Sequence, residues 1–131
     1  MRTTSDVERF LNGSGLKYQD LGDGLFIVGL EATSPTQLAI KVADDVVVFQ
    51  LKALETPEKG AKGREQLLED LLRLNASGVL HSAFALQDDG IYLQAALPLQ
   101  NLDANEMQAV LDDIGLAVSQ HIPKLAQGLS K

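Results

Sequence analysis

Cysteine is absent from this chain of 131 residues. That removes disulfides, thiol nucleophiles and cysteine-ligated zinc from consideration. Tryptophan is absent as well, and there are only two tyrosines and four phenylalanines. The core must therefore be built from leucine, valine, isoleucine and alanine, and aromatic platforms for stacking nucleobases are poorly supplied. Basic charge is scarce: 11 Lys and Arg stand against 18 Asp and Glu, a formal net charge of −7. No cationic stripe offsets this, so a phosphate backbone or an anionic membrane would be repelled on average. No apolar run approaches the roughly 20 residues of a membrane-crossing helix, and the N-terminus lacks the apolar segment of a secretion signal. These absences predict a cytoplasmic protein with neither nucleic acid nor membrane as a partner.

The remaining composition is that of a folded protein, with hydrophobic residues at 45% and charged residues at 22%, well away from the disordered class. The length suits one domain spanning residues 1–131. The acidity is uneven. Residues 1–63 hold nine carboxylates against seven cations, whereas residues 64–131 hold nine against four. Such a surplus favours solubility, or steers the chain toward a basic partner segment.

Ser5-Asp6-Val7-Glu8 has the pattern of a capping box, followed by Val7, Phe10 and Leu11 at helical spacing, with Gly13 placed to end the helix. Strand signals come next. Leu16-Lys17-Tyr18 begins one, Gly22-Asp23-Gly24 turns the chain, and Leu25 to Val28 continues it. Gly29 suggests a bulge or a close backbone approach, and Ser34-Pro35-Thr36 breaks the pattern. Leu38 to Val42 and Val46 to Leu54 pair as a hairpin across Ala43-Asp44-Asp45. The continuous run Val46 to Phe49 predicts a central strand covered on both faces. Thr56 to Gly63, with Pro57, Gly60 and Gly63, reads as a basic loop.

A second helix is predicted from Arg64 to Asn75. Leu67, Leu71 and Leu74 lie on one line, with Leu68 and Leu72 about 100° around from it. This apolar face is wider than one sheet requires. It predicts either a second surface, as in a dimer, or deeper burial within one chain. Ser77-Gly78 ends the helix. Phe84 and Leu86 form one face of a strand, Asp88-Asp89-Gly90 turns it, and Ile91, Leu93, Ala95 and Leu97 alternate along the return until Pro98. Asp103 opens a last helix, whose stripe runs through Met107, Val110, Leu111, Ile114, Val118, Ile122 and Leu125. Gly115 is read as permitting close packing, and Leu116 points away from the stripe. Pro123 should kink or break this helix near Gln120.

Chemistry-bearing patterns are sparse. His81 and His121 have no second histidine at ligand spacing. Asp44-Asp45 and Asp88-Asp89 fall in turns, and Asp112-Asp113 falls on the polar side of the last helix, where neither carboxylate should have a raised pKa. The glycines of Gly22 to Gly29 are wrongly spaced for a dinucleotide fingerprint, and a strand follows them instead of a helix. We therefore expect no catalytic residues, no cofactor and no metal. A small enzyme or ligand binder using His81 or His121 with carboxylates is a remote alternative.

Residues 64–126 carry a resemblance. A leucine-rich helix ends in Leu74-Asn75. Phe84, Leu86 and Asp89-Gly90 follow, and a strand reads into Leu97-Pro98-Leu99. Leu102-Asp103 then opens the final helix. In order and spacing this resembles the type III secretion chaperone-like superfamily, which includes YbjN-like proteins. The resemblance implies an α+β fold of three helices on a mainly antiparallel sheet, in the order α-β-β-β-α-β-β-α. It also implies a homodimer using the middle helix, which would assign Leu67, Leu68, Leu71 and Leu72 to the interface. The chaperone branch further implies a non-catalytic module holding a partly unfolded client or effector segment by strand addition and pocket filling. Candidate client-binding residues are Val7, Phe10, Leu11, Phe26 and Val28, with plain core packing as the competing reading. The YbjN-like branch would instead imply a regulator acting through a folded protein partner.

Overall fold

The computed structural model describes residues 3–30 and 36–129. The N-cap of helix α1 (Thr4–Ser14) lies two residues before the expected one at Ser5. Thr3 is the N-cap, and its backbone N–H donates to Asp6 Oδ2 at 2.8 Å. The helix ends at Gly15, not Gly13, because Gly15 takes the left-handed φ of 79° that closes the last turn.

Four strands follow: β1 (Tyr18–Gly22), β2 (Leu25–Leu30), β3 (Thr36–Ala43) and β4 (Val46–Leu54). Helix α2 (Arg64–Ser77) leads into the hairpin of β5 (Ala83–Gln87) and β6 (Gly90–Pro98). Helix α3 (Ala104–Leu116) passes through a π-helical turn, Ala117–His121, into α4 (Ile122–Leu129). All six strands form one antiparallel sheet in the order β1-β2-β3-β4-β6-β5. This is the expected α+β class, with one more strand because the turn at Asp23-Gly24 divides the first predicted strand into a hairpin. Gly24 is required there: its φ is 80°, and a Cβ would lie 2.7 Å from the carbonyl oxygen of Val42. The break expected at Ser34-Pro35 lies outside the described residues.

Strand register sorts the side chains. Phe26, Val28, Leu38, Ile40, Val47, Phe49, Leu51, Phe84, Ile91 and Leu93 share one face and are buried. Val7 and Leu11 of α1 and the stripe of α3 join them in a single core. The opposite face, with Ile27, Ala39, Val48, Gln50 and Ala96, is half-buried to exposed. β4 is therefore central in the sheet but covered on one face only, contrary to the reading of Val46 to Phe49, and Val46 is 39% exposed. Gly29 marks neither a bulge nor a close approach, since its pairing with β3 is regular and a Cβ there would meet nothing within 4 Å. The irregularity sits earlier, between Asp20 and Gly22.

Pro123 perturbs the last helix without ending it. Proline has no N–H to offer the carbonyl four residues back. The helix widens just before it, with the Ile122 N–H reaching the Ala117 carbonyl, and then continues to Leu129. The displaced turn carries His121, whose Nε2 lies 3.0 Å from the carbonyl oxygen of Gly78 at the end of α2.

Candidate protein-binding site

A sheet of six strands has two edges, and each is a row of backbone donors and acceptors available to another chain. The two edges of this sheet are treated differently. At β5, the Asn75 side chain on α2 closes off Phe84. Its Oδ1 accepts from the Phe84 N–H at 2.7 Å, and its Nδ2 donates to the Phe84 carbonyl at 3.1 Å. One amide thus takes the place of a neighbouring strand at Phe84, near the start of β5.

The loop between α2 and β5 is held just as firmly. Asp113 Oδ1 accepts from the Leu80 N–H at 3.0 Å, and Oδ2 accepts from the His81 N–H at 3.0 Å and the Ser82 Oγ at 2.7 Å. Asp113 is 8% exposed, so it does not share the solvated face expected for Asp112-Asp113. Burial alone would raise its pKa. The hydrogen bonds from Ser82, Leu80 and His81 outweigh that and hold the carboxyl below its ordinary value.

The other edge is open. β1 has no strand on its outer side among the described residues. The Gly29 N–H donates to the Lys17 carbonyl, so Lys17 and Gln19 face β2. By the antiparallel alternation, the backbone groups of Tyr18 and Asp20 face outward. The Tyr18 hydroxyl fastens β1 to α1, with Asn12 Oδ1 at 2.8 Å and Glu8 Oε2 at 3.0 Å. At the start of this strand lies a cleft of about 810 Å³, lined by Leu16 and Lys17 ahead of β1, Leu30 at the end of β2, and Leu111, Asp112 and Gly115 on α3. Its walls are mixed: Leu16, Leu30, Leu111 and Val118 give apolar surface beside Ser14, Gln108 and Ser119, and Lys17 and Asp112 supply opposite charges.

The residues expected to bind a client fall mostly elsewhere. Val7, Leu11, Phe26 and Val28 are completely buried. They sit where the helices meet the sheet and have no surface to offer; only Phe10 is half-buried. The four leucines of α2 divide. Leu67 and Leu71 are buried in the chain's own core, Leu68 is half-buried, and Leu72 is 71% exposed. The helical spacing could not separate these, because packing against α4 and β5 decides which part of a wide face is covered. Leu80 and Leu86 are also exposed, at 81% and 52%. His81 is exposed. His121 lines a groove of about 290 Å³ with Asp70, Arg73 and Lys124. Among the described residues no three His or carboxylate groups come together as metal ligands, and no helix is long and apolar enough to cross a membrane.

The CesT_Tir_1 family model matches residues 1–131, the whole chain. The chain belongs to this family. It lies in the type III secretion chaperone-like superfamily, as the resemblance in residues 64–126 implied. Among solved structures, the fold is similar to a chain of the heterodimeric ExoU–SpcU complex from the type III secretion system of Pseudomonas aeruginosa. That likeness has a TM-score of 0.67 and 17% identity, covering 94% of this chain and 97% of the other. It is also similar to YbjN from E. coli, with a TM-score of 0.64 and 15% identity, covering 97% of this chain and 94% of the other. At these identities the likeness is one of fold. A comparison with curated proteins gives no match.

In this member of the family, the open β1 edge and the neighbouring cleft were not legible as a site. Leu16, Leu30 and Gly115 carry no motif, and their meeting in the cleft depends on the chain after α1, the end of β2 and α3 arriving together. The Asn75 clamp was equally hidden, since an asparagine near a helix end commonly serves the helix itself.

Proposed function

We propose that this chain is a non-catalytic, type III secretion chaperone-like protein that holds an extended, partly unfolded segment of a protein effector. The segment adds as a strand to β1, pairing with the outward backbone groups of Tyr18 and Asp20, and seats a side chain in the adjacent cleft. The observation that carries this reading is the contrast between the edges: Asn75 caps Phe84 on β5, whereas β1 has no neighbour on its outer side among the described residues and starts at a cleft of about 810 Å³. Membership of the family and the fold shared with a chain of the ExoU–SpcU complex support it. The −7 charge keeps the chain soluble while a client is held and favours clients with basic flanks. The chain acts as one domain, in the cytoplasm.

The working form in this reading is a homodimer. Leu72 and the half-buried Leu68 on α2, with Leu86 exposed on the strand that α2 packs against, supply its apolar centre. Leu67 and Leu71 contribute indirectly, by fixing α2 to the core.

Amide hydrogen exchange, with and without a bound client segment, tests the proposal. New protection at Tyr18 and Asp20, with Phe84 unchanged, is the expected result. Protection confined to α2 or β5, with β1 exchanging freely, would overturn strand addition at β1.

A further inference from the structure

Gly115 is the penultimate residue of α3, in a helix that runs on through the π-helical turn, and glycine inside a continuing helix is less favourable than every residue except proline. Three ordinary reasons for glycine fail at this position. Its φ is not positive, no neighbouring atom lies within 4 Å of an added Cβ, and the helix does not end there. Gly15, across the cleft, differs: its left-handed φ of 79° requires glycine. The close packing expected at Gly115 is therefore absent.

What Gly115 does face is the cleft. The lining residues of this helix run round from Leu111 through Gln108 and Asp112 to Leu116. An advance of about 100° per residue places Gly115 between them. Any side chain at 115 would project into the space enclosed by Leu16, Leu30 and Leu111. We infer that Gly115 is a specificity-determining residue, whose missing side chain keeps the cleft wide enough for one large apolar anchor of the bound segment. This rests on the strand-addition reading above. The opposite charges of Lys17 and Asp112 at the cleft sides define the rest of the recognised chemistry: an apolar anchor with an acidic neighbour on the Lys17 side and a basic neighbour on the Asp112 side.

The probes are extended peptides of alternating threonine and valine, differing only in a central alanine, leucine or tryptophan, with binding read by fluorescence anisotropy. The unaltered protein should bind the leucine and tryptophan peptides about tenfold or more tightly than the alanine peptide. Gly115→Leu should abolish that preference while Tm holds or rises, because leucine is a strong helix former entering open space. Equal binding of the tryptophan peptide by Gly115→Leu and the unaltered protein would overturn the inference. The absence of native cysteine permits a second test should Gly115→Leu fold poorly. Gly115→Cys should exchange with a peptide whose anchor cysteine is activated as a thionitrobenzoate mixed disulfide, releasing thionitrobenzoate as the protein–peptide disulfide forms, and not with one carrying that group two residues away. Equal cross-linking at both positions would also overturn the inference. Peptides that bind without regard to the central residue would defeat the role of Gly115 and leave strand addition standing. No binding by any peptide would defeat both.

Discussion

Asp113→Asn should destabilise the protein by about 2–4 kcal/mol, although it changes the side-chain volume hardly at all. Asp113 accepts from Leu80, His81 and Ser82 at 2.7–3.0 Å. Hydrogen bonds to a charged group contribute about 1.5–3 kcal/mol each. An asparagine can keep its oxygen where Oδ2 now serves His81 and Ser82, but its NH2 must then face the Leu80 N–H. One charge-assisted bond is lost, a donor opposes a donor, and the remaining two bonds weaken. With a urea dependence of about 2 kcal/mol per molar, the midpoint should fall by roughly 1–2 M. The effect should depend on pH in one direction. The folded state holds the carboxyl below its ordinary value, so its contribution is complete above the unfolded value of about 3.9. It disappears as pH falls through the folded value. The gap between native and Asp113→Asn midpoints should thus be constant from neutral pH to about pH 5 and close in stronger acid. A gap under about 0.5 kcal/mol at neutral pH, or one unchanged in strong acid, would refute the account of Asp113 as an ionised anchor for residues 80–82.

Adjacent leucines on α2 should behave oppositely. Leu71→Asp puts a charge at a site 6% exposed and should abolish the folded circular dichroism spectrum, whereas Leu72→Asp, at 71% exposure, should fold normally. If α2 forms the dimer, Leu72→Asp should sediment as a monomer; a persisting dimer would place the interface elsewhere. Asn75→Ala unpairs both backbone groups of Phe84, for a loss of about 1–3 kcal/mol. It should also produce concentration-dependent light scattering as the β5 edge becomes available.

The fold was legible where periodicity and punctuation agree. The stripe from Met107 to Leu125, the hairpin across Asp44-Asp45 and the return strand ending at Pro98 all stand where alternation placed them. Errors arose where a choice among similar local signals is settled by tertiary contacts. Thr3 caps α1 in place of Ser5, and Gly15 ends it in place of Gly13. Asp113 is buried although its neighbour Asp112 is exposed, because only Asp113 meets the turn after α2. The site was the least legible part. An open edge is defined by what does not lie beside it, and a cleft by the elements that stop short of filling it.

The unequal edges also set a limit on self-association. A sheet open on both sides can extend indefinitely by adding copies of itself. With β5 capped at Phe84 and no strand beside β1 among the described residues, pairing through an edge is easier at β1 than at β5. A segment added at β1 would cover that row and end the sheet there. The cap on Phe84 thereby makes one edge of the sheet a poorer template for fibre growth than the other.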